Sequence, residues 1–242
     1  MGLYRDQGIV LRTWKLGEAD RIVNLLTRGH GKVRAVAKGV RRTKSRFGAR
    51  LEPTSHVSLL FYEGRELDII TQAEAIDTFR PLRDDFERLA RAEAMLEAVD
   101  HLAQEREPDP RLYTMLLGAL RTLAAGGAPI VLPAFFLKLL ALEGFRPVVE
   151  GCASCGDEVD DPAALVAFDI DEGGLLCAAH RRGDAVGPDT VRLFRLVLGG
   201  RLGAALNEPP SAATHEIELL ATRAVEHHLE RRIRSVTVLD RT

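Results

Sequence analysis

From Lys32 onward the chain alternates: Val33, Ala35 and Ala37 fall on one face, Lys32 and Arg34 on the other, and Lys38 follows beyond Val36. A period of two is that of a strand with one buried face. The pattern returns where Val57, Leu59 and Phe61 alternate with His56, Ser58 and Leu60. Residues 7–14 and 20–27 are rich in Ile, Val and Leu, and Gly29-His30-Gly31 marks a turn after them. Glu63-Gly64-Arg65-Glu66 then leads into a fifth run, residues 67–75. Five strands in this length suit a small closed barrel; the OB-fold is the commonest such option, and an SH3-like barrel fits the same periodicity.

At Pro81 the period lengthens. Leu82, Phe86, Leu89, Leu96, Val99 and Leu102 recur at helical spacing in a run that continues to Glu107, where Pro108-Asp109-Pro110 breaks it. Acidic Asp84 and Asp85 sit where the N-terminal turn favours them. A second helix is predicted over 111–125, stopped by Gly126-Gly127, and a third over 132–143, stopped by Gly144. Residues 148–186 read as short strands and turns, after which helical spacing resumes at 189–206 and 214–233. The expected class is therefore α+β: a barrel domain, 1–80; a helical bundle, 81–147 and 187–242; and an insertion, 148–186. The most apolar stretch, 131–142, contains Pro133 and Lys138 and is too short for a membrane span, so it is predicted to be a buried helix. The N-terminus shows no apolar signal core, and a cytoplasmic location is expected.

Charge changes the picture more than composition does. At 46% hydrophobic and 28% charged the chain is that of a folded protein, and its net charge of −2 gives no hint of a polyanion partner. The distribution does. Residues 1–50 carry thirteen Lys/Arg against three Asp/Glu, a net of +10, whereas everything beyond residue 80 is net acidic. Within 31–50 there are eight basic residues and no acidic one: Lys32, Arg34, Lys38, Arg41, Arg42, Lys44, Arg46 and Arg50. So dense a run has no local counter-charge, and a phosphate backbone supplies one. Gly39 and Gly48 give the loop freedom to follow a strand. Trp14, Phe47, Phe61 and Tyr62 are the candidate base-stacking platforms, with Phe61 placed by alternation in the barrel core and a core position open to Trp14 as well.

The three cysteines all lie between residues 152 and 177, an odd count that does not suit a disulfide framework. Cys152-x2-Cys155 is followed after 21 residues by Cys177-x2-His180. Two tight pairs across a hairpin-length insert supply four ligands for tetrahedral zinc, in a closed and hence structural site. Gly156, Gly173 and Gly174 allow the turns that aim the ligands inward. The alternatives are a redox CxxC, a site that has lost its metal, or three thiolates with water in place of His180. No Walker loop, dinucleotide turn, HExxH or nucleophile elbow is present, and Gly151 stands where a zinc deaminase carries Pro. Asp169-x-Asp171-Glu172 and His227-His228 read as solvated surface. The chain is not expected to be an enzyme.

Several segments, in order, resemble one family. Glu18-x-Asp20-Arg21-Ile22-Val23, His30-Gly31-Lys32, Ala37-Lys38-Gly39-x-Arg41-Arg42-x-Lys44-Ser45-Arg46 and Leu51-Glu52-Pro53 are similar to the N-terminal barrel of the RecO family. Phe136-Leu137-Lys138-Leu139-Leu140, Gly144-Phe145-Arg146-Pro147, Cys152-x2-Cys155-Gly156 and Gly173-Gly174-Leu175-Leu176-Cys177 resemble its passage from helix into zinc ribbon. His180 stands where many zinc-bearing members use cysteine, which leaves the fourth ligand open. The resemblance implies a nucleoid-associated recombination mediator. Such a protein binds single- and double-stranded DNA through the OB barrel and anneals complementary strands. With RecR it loads RecA onto DNA coated by single-strand-binding protein (SSB), and it recognises the SSB C-terminal tail. A groove along 132–142 using Phe135, Phe136, Lys138 and Leu139 is the expected place for that tail. The rival readings are an OB-fold RNA-binding or translation-associated protein with a structural zinc ribbon, a zinc-dependent hydrolase or nuclease, and a purely structural adaptor.

Overall fold

The computed structural model describes residues 2–43, 45, 47–126 and 129–236. Lys44, Arg46 and the helix-stop Gly127 lie outside the described residues. Five strands form over the five predicted runs, the first of them longer at its N-terminal end than 7–14: β1 (Leu3–Leu16), β2 (Asp20–Thr27), β3 (Gly31–Ala37), β4 (His56–Tyr62) and β5 (Asp68–Asp77). They close into a barrel in the order β1-β2-β3-β5-β4, with β4 returning to β1, as in an OB-like fold. Val10, Val23, Leu25, Val33, Ala35, Val57, Leu59, Phe61 and Ile70 fill the interior. Each large aliphatic or aromatic side chain buried in this way contributes about 1.5–3 kcal/mol. Phe47 and Leu51 join them from the β3–β4 connection, where the turn Gly48–Leu51 folds both inward. Phe47 is thus core, only 1% exposed, and its ring cannot serve as a stacking platform.

Every strand pair is antiparallel except β3–β5, which closes the barrel through the two pairs Ala35↔Asp68 and Val36↔Ile69. The seam is held by side chains. Asp68 is fully buried; its carboxylate accepts from the Gly64 N–H at 3.0 Å, the Arg106 guanidinium at 2.7 Å and the Tyr4 hydroxyl. Burial alone would raise its pKa, but these donors outweigh it and hold the carboxyl below its usual value. The phenol of Tyr4 is pushed up by burial and by the same carboxylate.

Arg106 reaches the seam because the helical run ends early. A short turn α1 (Arg80–Arg83) follows Phe79, and helix α2 (Phe86–Leu102) starts afresh with the Asp85 carboxylate capping the Arg88 N–H at 3.1 Å. The predicted continuation to 107 is instead extended, running beside β3: Lys32 N–H donates to Gln104 O at 3.2 Å and Arg106 N–H to Lys32 O at 3.1 Å. Gly31 sits under this segment at φ +65°, and a Cβ there would lie 2.1 Å from Glu107 O. Helix α3 (Pro110–Ala125) then places the Tyr113 hydroxyl 2.8 Å from Nε2 of buried His56. Burial and the nearby Arg121 lower the His56 pKa, partly countered by Asp77.

By contacts the chain falls into two compact units, Met1–Ala125 with Arg234–Thr242, and Gly126–Ile233. Packing thus groups α2 and α3 with the barrel, although their sequence character matches the later helices. In the first unit, Ser235 returns to α2, donating from N–H and hydroxyl to the Glu97 carboxylate at 3.2 and 2.9 Å. The second unit holds α4 (Val131–Leu142), β6 (Leu165–Asp169), β7 (Gly174–Cys177), β8 (Asp184–Ala185), α5 (Pro188–Leu198), α6 (Leu202–Ala205) and α7 (Ala212–His228). The predicted helix 189–206 is divided at Gly199-Gly200, where Gly200 takes φ +82°. Helix α7 opens on a capping box formed by Ser211 and Thr214.

Two outcomes are expected. Gly31→Ala combines a positive φ with a backbone collision and should lower stability by at least about 2 kcal/mol, read as a shift of the urea midpoint at unchanged slope. His56 is held neutral, so its folded pKa lies below the unfolded value of about 6.5. Its stabilising contribution is complete above that pH and is lost as pH falls toward the folded pKa, at up to about 1.4 kcal/mol per unit. His56→Gln should flatten this part of the stability–pH profile, and an unchanged slope would contradict the assignment.

Candidate metal centre and nucleic-acid interface

Cys152, Cys155, Cys177 and His180 meet in the second unit, with their ligand atoms within 4.8 Å of one another. Local backbone explains why. Cys152 N–H donates to Asp157 O at 3.0 Å and Gly156 N–H returns to Cys152 O at 2.8 Å, a tight knuckle that Gly156 permits at φ +78°. Strand β7 delivers Cys177, and the single turn Ala178–His180 brings His180 back beside it. Gly173 takes φ +70° in the β6–β7 turn, whereas Gly174 serves a close approach: a Cβ there would lie 2.5 Å from Val148 O. His180 Nδ1 lies 3.3 Å from Cys177 Sγ and 3.8 Å from Cys152 Sγ. Two such ligands on a tetrahedral zinc-sized ion stand about 3.6 Å apart, so the arrangement can hold a metal ion.

The protonation pattern agrees. Burial raises the Cys152 pKa, but hydrogen bonds from the backbone of Cys177, Cys155 and Ser154 outweigh it and bring the thiol down to about 6. Cys177 is lowered by its hydrogen bond to His180, whose own pKa is raised by that contact and by Cys152. Cys155 goes the other way: the Asp157 N–H favours its thiolate, yet the Asp157 carboxylate 3.2 Å away accepts the Sγ–H and keeps the pKa up, at about 11. Cys155, with its pKa at about 11, thus holds a proton in the neutral range, and the contacts with Cys177 and Cys152 favour the protonated form of His180. A bound cation would compete with protons for these ligand atoms.

Arg195 fastens this module to α5. Its guanidinium donates to Val149 O at 3.0 Å, Asp160 O at 2.8 Å and Val159 O, bonds that hold the loop leading into and out of the knuckle. The ring of Phe168 on β6 stacks on Phe194 of α5 at 5.2 Å. None of these three residues stands out in the sequence: an arginine bound to carbonyls has no motif.

In the first unit the basic residues divide into two groups. Lys32 Nζ donates to Asp100 O at 2.7 Å, and Arg34 pairs with Glu105 at 3.8 Å. Lys38, Arg41, Arg42 and Arg50 are exposed on the β3–β4 connection. That connection is tied to the β1–β2 turn: Arg41 donates to Glu18 O at 2.8 Å and its N–H to Ala19 O at 3.0 Å, while Gly39 N–H donates to the Asp20 carboxylate at 2.7 Å. Two backbone carbonyls and the Asp20 carboxylate of the β1–β2 turn therefore position the basic loop. Among the aromatic residues, Trp14 is half-buried and Tyr62 is 42% exposed, while Phe61 lies in the core.

A family model described as "Recombination protein O N terminal" matches residues 1–79, and one described as "Recombination protein O C terminal" matches 83–237. The chain is similar over its length to two curated relatives, both DNA repair protein RecO. That of Bifidobacterium adolescentis is 44% identical over 99% of this chain and all of its own length. That of Nocardioides sp. is 46% identical with the same coverage. The chain belongs to the RecO family.

RecO is a DNA repair family, and the two family segments are separated only by residues 80–82, within α1. On helix α4 the residues expected to line a peptide groove are placed otherwise. Phe135, Phe136 and Leu139 are at most 3% exposed and belong to the interior, because this helix is apolar on every side. Of that set Lys138 alone reaches solvent. Among the described residues no helix is long and apolar enough to cross a membrane.

Chelation should act locally in this RecO-family protein. EDTA, or Cys177→Ser, is expected to open residues 148–186 to protease while leaving melting of the barrel unit in place. Because metal uptake expels protons, affinity should fall as pH drops. Identical digestion patterns with and without chelator would show that the ligands carry no ion.

Proposed function

We propose that this protein is a non-enzymatic recombination mediator. It binds single- and double-stranded DNA through the barrel, residues 1–80, anneals complementary strands, and with RecR helps load RecA onto SSB-coated DNA in the cytoplasm. The observation that carries this reading is the set of exposed basic side chains Lys38, Arg42 and Arg50 on the β3–β4 connection of an OB-like barrel, a connection that Arg41 ties to the β1–β2 turn. Lys44 and Arg46 of the same basic run lie outside the described residues, and Lys32 and Arg34 are already engaged with Asp100 and Glu105. Binding then rests chiefly on phosphate contacts, which are sequence-independent and salt-sensitive.

Annealing fits such a surface because it requires no covalent step. The protein screens two polyanions from each other and leaves their base edges free. Zinc is the ion we assign to Cys152, Cys155, Cys177 and His180, since three sulfurs and one imidazole suit a soft, tetrahedral site. With four protein ligands no coordination position is left for substrate, and this supports a structural rather than catalytic metal.

The test is annealing of complementary strands precoated with SSB, comparing wild type with Lys38→Glu/Arg42→Glu. Annealing should be lost in the variant. Its affinity for single strands should fall by tenfold or more at about 100 mM salt, with the salt slope reduced by about 1.4 for two lost phosphate contacts. No annealing by the wild-type protein would overturn the mediator reading.

A further inference from the structure

The bulge in β1 sets up an arrangement that the charge pattern alone does not contain. The register shifts between Val10 and Arg12, so Val10 points into the barrel while Trp14 pairs with Ile22, whose neighbour Val23 is core. Ile22 in turn pairs with Val36 on β3. Trp14, Ile22 and Val36 therefore form one apolar row across the outer face, about 10 Å wide at two strand spacings. The row before it holds Arg12, Asn24 and Arg34 in register. The row after it begins with Leu16 and Asp20, and Asp20 accepts from the N–H of Gly39, next to Lys38.

Ile22 and Val36 are each 9% exposed, so Trp14 and Leu16 provide the accessible apolar surface of this region. The guanidinium of Arg12 sits over the Trp14 ring, 5.9 Å from its centroid. Arg12, Lys15, Lys38 and Arg42 are exposed and form no ion pair among the described residues. An aromatic face flanked by uncompensated cations on both sides is complementary to a ligand with flat rings strung on a phosphate backbone. Duplex DNA has the phosphates but keeps its ring faces stacked away. An unpaired strand offers both.

We propose that Trp14 is a base-stacking residue: one base of a single strand stacks on its indole while Arg12 and Lys38 hold the phosphates on either side. The inference rests on the DNA-binding reading above and adds to it a reason for single strands to be held differently from duplex. Arg12 then has two roles, covering the ring when DNA is absent and pairing with phosphate when a base takes its place. Stacking of this kind is tolerant of sequence, because every base has a π-face.

Trp14 is the one tryptophan in the chain, which makes the test direct. The full-length protein is titrated with a deoxythymidine oligonucleotide, an abasic strand of the same length and a duplex, each followed by tryptophan fluorescence and by anisotropy of a labelled strand. The thymidine strand should quench Trp14, while the abasic strand and the duplex bind without quenching. Trp14→Ala should weaken thymidine-strand binding by about fivefold to a hundredfold, the range of one base–aromatic stack, and leave abasic binding unchanged; Trp14→Phe should retain most of the affinity. If both strands bind and neither quenches, stacking is overturned while the DNA-binding reading stands. If neither strand binds, both fall together. Should Trp14→Ala fail to fold, the wild-type quenching comparison still decides.

Discussion

The barrel closes through a parallel contact of two residue pairs, Ala35↔Asp68 and Val36↔Ile69, far shorter than the antiparallel ladders that make up the rest of its wall. So short a ladder leaves the seam dependent on the carboxylate of Asp68. A buried carboxylate is tolerable only when its lone pairs are engaged, and here Gly64, Arg106 and Tyr4 engage them. Because Arg106 is supplied by the segment after α2, that helix has to stop at Leu102 and the chain has to run along β3 under Gly31. The barrel, the end of α2 and the start of α3 are thus fixed by one electrostatic requirement. The contact grouping of residues up to Ala125 as one unit has its physical basis there.

The same economy governs charge on the outer wall. Of eight basic residues in 31–50, Lys32 and Arg34 tie β3 to the end of α2 and the segment after it, through Asp100 and Glu105, and Arg41 is bound to the β1–β2 turn. Positive charge in a sequence segment therefore overstates what is free to meet phosphate. Lys38 and Arg42 are exposed where the β1–β2 turn and the β3–β4 connection are laced together. A ligand there would meet a surface whose backbone is already ordered, which lowers the entropic cost of binding.

In the second unit the metal ligands depend on backbone bonds as much as on one another. The knuckle around Cys152 and the single turn ending at His180 place four donors within reach before any ion is considered. Arg195 and the Phe168–Phe194 stack then connect this small module to α5. The module's own buried apolar set is small, Val149, Leu165, Phe168, Leu175 and Leu176, so Arg195 adds to it and a metal ion on the four ligands would add further.

Much of this was legible in the sequence. Period-two alternation places β3 and β4 with their inward faces, since alternation follows directly from the pleat, while apolar runs between turn signals place the other three strands. The paired spacing of Cys152, Cys155, Cys177 and His180 identifies the metal cluster, since such ligands lie close along the chain. The ordered motifs also point to the RecO family. What the tertiary structure decided depends on contacts distant in sequence, to which periodicity is blind. Phe47 is drawn into the core by a turn that no pattern marks. Phe135, Phe136 and Leu139 are interior because α4 is covered, and an apolar helix reads the same whether it is covered or grooved. Lys32 and Arg34 have partners about seventy residues away. The outward row of Trp14, Ile22 and Val36 exists only because a bulge in β1 reverses the face of every residue beyond it, and a one-residue slip in register leaves no trace in composition.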